Sequence, residues 1–295
     1  MKKQIYLLFF FSLITISIAA QTPTSPANDS IQYVQIKTLD GNTYIGSILE
    51  ETSELLLIKT QSAGEIKITK NQIKKLKRFS ANQLKDGKYW FENPNATRNL
   101  YGPTGYGLEK GEGYYQNFMI FLNSVNVGIT DNITIGAGFL PVGLENGFNF
   151  LITPKFSVPV VPEKVNLAGG LLYARFFEEN MGILYGVGTY GPKDHNATLG
   201  LGYGFLNGEL AKRPIITVSG MTRVGRKFGL VTENWFIPIE NYEDDKNYFA
   251  AITYGVRYIS EGVTIDFSFL RVADIEDFFI LGIPLVGVVI PFGRN

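Results

Sequence analysis

The stretch Thr198-Leu199-Gly200-Leu201-Gly202-Tyr203-Gly204-Phe205 places a large apolar residue at every second position, mostly alternating with glycine. Successive side chains of a strand point to opposite faces, so this period gives one apolar face and one face that is open or polar. About ten further segments down to Phe292 repeat the alternation between turn residues. The pattern is typical of membrane β-barrels and of soluble β-sandwiches, so other features must choose between the two classes.

The amino terminus predicts export. Lys2 and Lys3 precede an apolar run over residues 5–18, and small residues then offer a cleavage site near Gln21. This arrangement is typical of a secretory signal peptide, which we assign to residues 1–20. Its apolar core is shorter than the roughly 20 residues that cross a bilayer as a helix, so a membrane anchor is not favoured.

The composition of the 295 residues agrees with a membrane barrel. There are no cysteines, so neither disulfides nor a lipid-modified cysteine are available, and any membrane attachment must come from the fold. The chain has 32 glycines, 22 phenylalanines and 16 tyrosines, yet it is not strongly apolar overall. Lipid-facing residues that alternate with small or polar lumen-facing ones give this average. The formal net charge of zero argues against a nucleic-acid partner.

A different kind of segment precedes the alternating part. Residues 21–30 form a polar, proline-containing linker, and residues 31–79 predict short strands with hairpin turns at Asp40-Gly41-Asn42 and Ala63-Gly64. This segment resembles a small Sm-like or SH3-like β-barrel, in which Gly46 would permit the bend of a long second strand. We expect a periplasmic β module, with a periplasmic protein or another envelope component as its possible partner.

The end of this module carries a basic cluster. A membrane surface or an acidic partner is one interpretation of such a cluster, and a solvated face is the favoured one, since charge runs usually are solvated. The cluster consists of Lys70, Lys74, Lys75, Lys77 and Arg78.

The next segment carries a family resemblance. Its motifs are Trp90-Phe91-Glu92-Asn93-Pro94-Asn95-Ala96-Thr97-Arg98, Gly102-Pro103-Thr104-Gly105 and Lys110-Gly111-Glu112-Gly113-Tyr114-Tyr115-Gln116. With residues 123–130 and the closing Pro291-Phe292, the chain from Trp90 onward resembles uncharacterised outer-membrane β-barrel proteins of Bacteroidetes-type Gram-negative bacteria. The resemblance implies an outer-membrane location and a barrel fold, and it carries no activity. Outer-membrane lipid and the barrel-assembly machinery are then the expected partners.

The alternation predicts eleven antiparallel strands from Tyr115 onward. They are residues 115–128, 132–140, 148–158, 165–176, 181–191, 197–207, 214–224, 228–239, 247–259, 263–271 and 278–292. Single-chain bacterial barrels have even strand numbers, so a twelfth strand is needed, and residues 95–102 are the one candidate of suitable length. The prediction is an all-β transmembrane barrel of about 12 strands over residues 95–295, joined to the small module by a linker at residues 80–94.

This strand assignment sorts the connections and the faces. The short connections Thr130-Asp131, Gly225-Arg226-Lys227 and Ser260-Glu261-Gly262 fall on the periplasmic side, and residues 103–113, 141–147 and 240–246 fall outside. On the predicted strand 263–271, Ile265 and Phe267 face lipid, whereas Thr264 and Asp266 face the lumen.

By the same parity, six charged side chains point into the lumen. A charge in a narrow lumen is costly unless it is paired, so a salt-bridge network that fills the barrel is favoured. The alternative is a selectivity lining, in which four basic and two acidic groups favour anions. The six are Lys155, Arg175, Arg223, Glu233, Arg257 and Asp266.

Residue types that carry catalysis or metal binding are sparse. His195 follows Asp194, a pair that could orient an imidazole in a barrel hydrolase, but the two lie in a predicted turn with no serine nearby. Four carboxylates at residues 240–245 could bind Ca²⁺, although a solvated acidic loop is favoured. We therefore predict no catalytic residue, no cofactor and no metal.

The favoured interpretation is a non-enzymatic, porin-like outer-membrane barrel. Its role would be passive transport of a small solute, or a structural or interaction role in the envelope. One alternative is a lipid-modifying hydrolase, which lipid hydrolysis lost in His195→Ala would reveal. The other is a soluble secreted β-protein, which extraction without detergent would reveal.

Overall fold

The computed structural model describes residues 32–142, 147–239, 248–272 and 281–293. The chain divides into two compact units, Met1–Tyr89 and Trp90–Asn295. The predicted signal peptide, the linker at residues 21–30 and the acidic loop at residues 240–246 lie outside the described residues. Within the described part, no helix is long and apolar enough to cross a membrane.

The described part of the first unit contains a five-stranded antiparallel sheet in the order β4-β3-β2-β1-β5. Alternate apolar residues of its strands, such as Val34, Ile36, Leu56 and Ile58, form its core. Gly46 in β2 approaches β3 so closely that a Cβ there would lie 2.5 Å from the Lys59 carbonyl oxygen, so only glycine fits. The strands are β1 (Tyr33–Thr38), β2 (Thr43–Glu51), β3 (Leu55–Thr60), β4 (Gly64–Thr69) and β5 (Ile73–Phe79).

The basic cluster of this unit has partners on its own surface. Lys70 and Arg78 each donate to the Glu51 carboxylate at 2.8 Å, and these contacts, Lys70 first, lower the pKa of Glu51. The Lys77 ammonium lies 4.8 Å from the centre of the Tyr89 ring. A two-residue hairpin follows β5, made of β6 (Leu84–Lys85) and β7 (Lys88–Tyr89).

The second unit is a closed antiparallel barrel, with twelve strands among the described residues. Each strand pairs with the next along the chain, and β8 pairs with β20 to close the ring. The two-residue β15 (Glu209–Leu210) pairs only with the end of β14. The twelve are β8 (Gly113–Phe118), β9 (Leu122–Gly128), β10 (Ile133–Leu140), β11 (Asn149–Val161), β12 (Val165–Phe176), β13 (Glu179–Tyr190), β14 (His195–Leu206), β16 (Ile215–Gly225), β17 (Phe228–Pro238), β18 (Tyr248–Ile259), β19 (Thr264–Val272) and β20 (Ile283–Phe292).

The twelfth strand does not come from residues 95–102, which form only an isolated bridge between Arg98 and Pro103. Instead, the segment predicted as one strand at residues 115–128 folds back on itself as the hairpin of β8 and β9. Its turn has positive φ at Met119 and Ile120, residue types that give no turn signal in the sequence. The Asn117 side chain holds this turn by bonding both the N–H and the carbonyl of Ile120.

The two faces of the wall follow the alternation in the opening stretch. Leu199 and Leu201 of β14 point outward and are more than half exposed, whereas Gly200 and Gly202 point into the lumen. The same belt of exposed apolar side chains surrounds the other strands. It includes Ile152, Phe156, Val158, Leu167, Leu184, Val218, Leu230, Val256, Ile265, Phe267, Val286 and Ile290.

The strand ends define two rims. The chain enters the barrel at Gly113 and leaves it at Phe292 on the same rim, which we call the terminal rim. All five connections between strands on the terminal rim have two to four residues. The connections on the opposite rim range from two residues to ten.

Candidate functional site: a plugged lumen

Residues 93–108 lie inside the barrel, and together with their ends at the terminal rim, residues 90–92 and 109–112, we call this segment the plug. The chain enters from the terminal rim, reverses direction between Asn99 and Gly102, and returns to β8 at the same rim. The reversal is held by the bond from the Asn99 N–H to the Gly102 carbonyl and by the bond from the Thr104 N–H to the Thr97 carbonyl. Nearly all of residues 93–106 are buried, so the plug fills the lumen on the terminal side.

Glu233 of β17 binds the tip of the plug. Its carboxylate accepts hydrogen bonds from the backbone N–H groups of Leu100 at 2.8 Å, Tyr101 at 3.2 Å and Gly102 at 2.8 Å. The indole N–H of Trp235 adds a fourth bond at 2.8 Å. Bonds between an ionised carboxylate and N–H donors are stronger than neutral ones. The turn of the plug is therefore shaped around this one wall carboxylate.

Arg257 of β18 holds the entering arm of the plug. Its guanidinium makes a two-pronged ion pair with Asp266 of β19, with N···O distances of 2.6 and 3.0 Å. The remaining N–H groups donate to the backbone carbonyls of Asn95, at 3.0 Å, and Asn99. Arg257 is fully buried, so the pair is a fixed structural unit between wall and plug.

Lys155 of β11 binds the plug, and among the described residues no carboxylate pairs with it. Its ammonium donates to the carbonyl oxygens of Thr97 at 3.0 Å, Thr104 at 3.4 Å and Tyr106 at 2.5 Å. These three carbonyls come from both arms of the plug. A single cation of the wall thus ties the two arms together.

Arg223 of β16 lies where the plug begins. It donates to the Phe91 carbonyl at 2.8 Å and forms an ion pair with Asp194 at 3.0 Å. The guanidinium also lies over the rings of Trp90 and Phe91, at 5.1 and 4.9 Å from their centres. Such stacking on aromatic faces suits arginine better than lysine.

The sixth charge predicted to face the lumen, Arg175, lies on the outer face instead, so this prediction is wrong. It is exposed on β12 and pairs across the ladder with Phe150, and both side chains lie on the outer face. Gly169-Gly170-Leu171-Leu172 has no alternation that fixes the parity of this strand. The other five charged residues are buried on the inner face of the wall, where they contact the plug or one another.

Neutral wall side chains complete the contacts. The hydroxyls of Thr189 and Thr134 accept from the N–H groups of Gly105, at 2.8 Å, and Leu108, at 3.1 Å. Asn99 donates to the Ser219 hydroxyl at 2.7 Å. Residues 103–113, which the sequence analysis placed in an outer loop, are thus part of the plug and its return to β8.

Asp194 and His195 contact different side chains. The Asp194 carboxylate binds Arg223, and the His195 ring nitrogen Nδ1 lies 2.9 Å from the Thr222 hydroxyl on the exposed terminal rim. Within the described ranges, no group of three or more His, Cys, Asp or Glu side chains could hold a metal ion.

A cavity of about 450 Å³ occupies the lumen beside and beyond the plug. Its floor includes Arg98, Tyr114 and Lys155, at the level of the plug. Its walls rise towards the opposite rim and are mainly apolar. Six of the wall residues are Leu122, Leu151, Leu172, Phe176, Ile183 and Phe205.

Comparisons with known proteins give structural likenesses only. No family model matches this chain. No curated protein matches it either. Eleven chains of solved structures match.

One of them is the NanC porin, at 8% identity and a TM-score of 0.41, with 61% of this chain and 97% of that chain covered. Another is OmpT, an outer membrane protein of Vibrio cholerae, at 11% identity and a TM-score of 0.32, covering 89% and 95%. Its loop L8 deletion mutant matches at 12% identity and a TM-score of 0.33, covering 89% and 97%. These TM-scores are low, and the barrel is defined by its own strand pairing.

Proposed function

We propose that this protein is a closed, non-enzymatic outer-membrane barrel with a structural or interaction role in the envelope. The observation that carries the proposal is the fit of the plug, whose backbone satisfies Lys155, Glu233 and Arg257. A charge that bonds to the plug is not free to line a conduction path. The exposed apolar belt supports membrane insertion, since soluble monomers rarely expose so large an apolar surface.

The sidedness of the barrel follows from its rims. Short turns are typical of the periplasmic side and longer loops of the outside. The terminal rim has the shorter connections, which favours its assignment to the periplasm. The N-terminal module would then be periplasmic, and its strand order β4-β3-β2-β1-β5 supports the Sm-like or SH3-like resemblance. A protein partner of this module in the periplasm remains part of the proposal.

Passive transport is the second candidate, favoured by the cavity on the opposite side of the plug. It would require the plug to move. A hydrolase is not favoured, because the Asp194 carboxylate that should orient His195 is bound to Arg223.

Conductance of the purified protein in a planar bilayer tests the proposal. The unmutated protein should give no sizeable steady current, whereas a variant lacking residues 95–108 should give one, because the lumen loses its filling. Faster gel migration before heating than after it identifies the variant samples that contain a folded barrel. A sizeable current from the unmutated protein, especially an anion-selective one, would contradict the closed barrel and support transport.

A further inference from the structure

The cavity beyond the plug combines two kinds of surface. Its walls towards the opposite rim are apolar, and its floor carries polar groups of the plug and of β8, β11 and β13. The volume of about 450 Å³ lies within the range of roughly 300–1,000 Å³ that is typical of small-molecule sites. Apolar walls above a polar floor match an elongated ligand with one polar end.

Three polar side chains of the floor keep donors or acceptors unbonded within the described residues: Arg98, Tyr185 and Gln116. Arg98 is only 5% exposed, and its one hydrogen bond there is from Nε to the Asn95 side chain at 3.1 Å. Arg98, Tyr185 and the buried Gln116 all line the cavity. Leaving buried polar groups unbonded is costly, so a ligand that bonds to them would gain affinity.

The charges around the floor leave Arg98 as the available cation. Arg257 is paired with Asp266, and Lys155 is bound to three plug carbonyls. Glu233 is occupied by backbone N–H groups at the tip of the plug. Within the described ranges, Arg98 therefore has no carboxylate in contact, and its forked guanidinium suits a two-oxygen anion.

The wall is lowest where β8 and β9 meet. These strands have six and seven residues, against twelve or thirteen in β11 to β14. Phe118 and Leu122, at the tip of this short hairpin, line the cavity. An amphipathic molecule held in the membrane can reach the cavity over this low, apolar section of the rim.

We infer that the cavity binds a long-chain carboxylate, a single-chain fatty acid, with its head on Arg98, Tyr185 and Gln116 and its chain along the apolar wall. The inference rests on the proposed function in one respect, because the plug forms the floor. The binding assay does not measure conductance, so absence of ligand binding would leave the proposal of a closed barrel unaffected. A conductance through the unmutated protein would contradict the closed barrel, whether or not a ligand binds.

Equilibrium binding of radiolabelled dodecanoate to the full-length protein in a non-ionic detergent tests the inference. We expect saturable binding of about one molecule per chain, with dodecanol competing at least tenfold more weakly. Absence of saturable binding, or equal competition by dodecanol, would overturn it. Both of these results are measured on the unmutated protein, so they do not depend on the folding of a variant. Dodecyl phosphate competing better than dodecanoate would overturn the carboxylate assignment.

Variants locate the site. Arg98→Gln should weaken dodecanoate binding about tenfold or more, because a charge-assisted bond is lost. The matched control Arg175→Gln removes the same charge from the outer face and should bind as the unmutated protein does. Gly204→Leu should abolish binding, because Gly204 lines the cavity and its Cβ position is free of clashes, 3.6 Å from Ile215. Unchanged binding in a folded Arg98→Gln or Gly204→Leu variant would contradict the assignment.

Discussion

Glu233 shows how one side chain shapes the inside of this barrel. A buried carboxylate would be costly in a lumen, yet four N–H groups surround it, three of them from the tip of the plug. The alternation of side chains along the strand is enough to place Glu233 in the lumen. Its three partners in the plug could not be predicted, because they are backbone groups about 130 residues away, and backbone groups leave no signature in a sequence.

Glu233→Gln should therefore lower barrel stability. The amide keeps one acceptor oxygen and presents an NH₂ donor to N–H groups, so we expect a loss of about 2–3 kcal/mol in the free energy of unfolding. The temperature at which the folded, faster-migrating gel form disappears measures the effect. Glu179→Gln, an exposed residue at the start of β13, is the matched control and should change little. Equal stability of the two variants would show that the Glu233 bonds are not needed.

At the scale of the element, the plug is the feature that sequence reasoning missed. Residues 95–102 were assigned as a strand because the even-number rule demanded one more. The demand was correct, but the missing strand came from the β8–β9 hairpin, whose turn of Met119, Ile120 and Phe121 contains no typical turn residue. The poor alternation of residues 95–102 was the available signal of a non-strand segment.

The outer face of β19 was predicted residue by residue, because Thr264, Asp266 and Ser268 alternate cleanly with Ile265 and Phe267. Such alternation fixes the register wherever one face is apolar. On β12 the glycine and leucine pairs blur it, and Arg175 was placed on the wrong face. The strands were predictable where apolar and polar residues alternate without interruption. Of the candidate site, only the charged side chains of the barrel wall were predictable.

Phe267→Arg tests the assigned lipid face. Phe267 is the fourth of nine residues in β19, so an arginine there should cost about 2–4 kcal/mol and reduce the yield of the heat-modifiable barrel. Phe228→Arg, at the first residue of β17 on the terminal rim, is the control and should cost about 0–1 kcal/mol. If the two variants assemble equally well, Phe267 does not lie at membrane depth.

At the scale of the whole molecule, the chain combines a small β module with a barrel that its own residues close. The barrel wall supplies charges, the plug supplies backbone groups, and neither set is satisfied alone. The plug is also the stretch through which the chain passes from the module into the barrel wall. The segment that closes the lumen is therefore part of the barrel unit, Trp90–Asn295.

The position of the plug is the central claim, and one cross-link tests it directly. A Cβ on Gly107 of the plug would lie 3.1 Å from the Cβ of Ser157 in the wall, near the roughly 3.5–4.5 Å of a disulfide. The chain has no cysteine, so Gly107→Cys with Ser157→Cys creates a single possible bond. We predict that mild oxidation of the assembled barrel forms this disulfide, detected as a linked peptide by mass spectrometry. Gly107→Cys with Phe156→Cys, whose second position points outward, should stay reduced. No disulfide in the first pair, or equal linking in both, would contradict a plug inside the lumen.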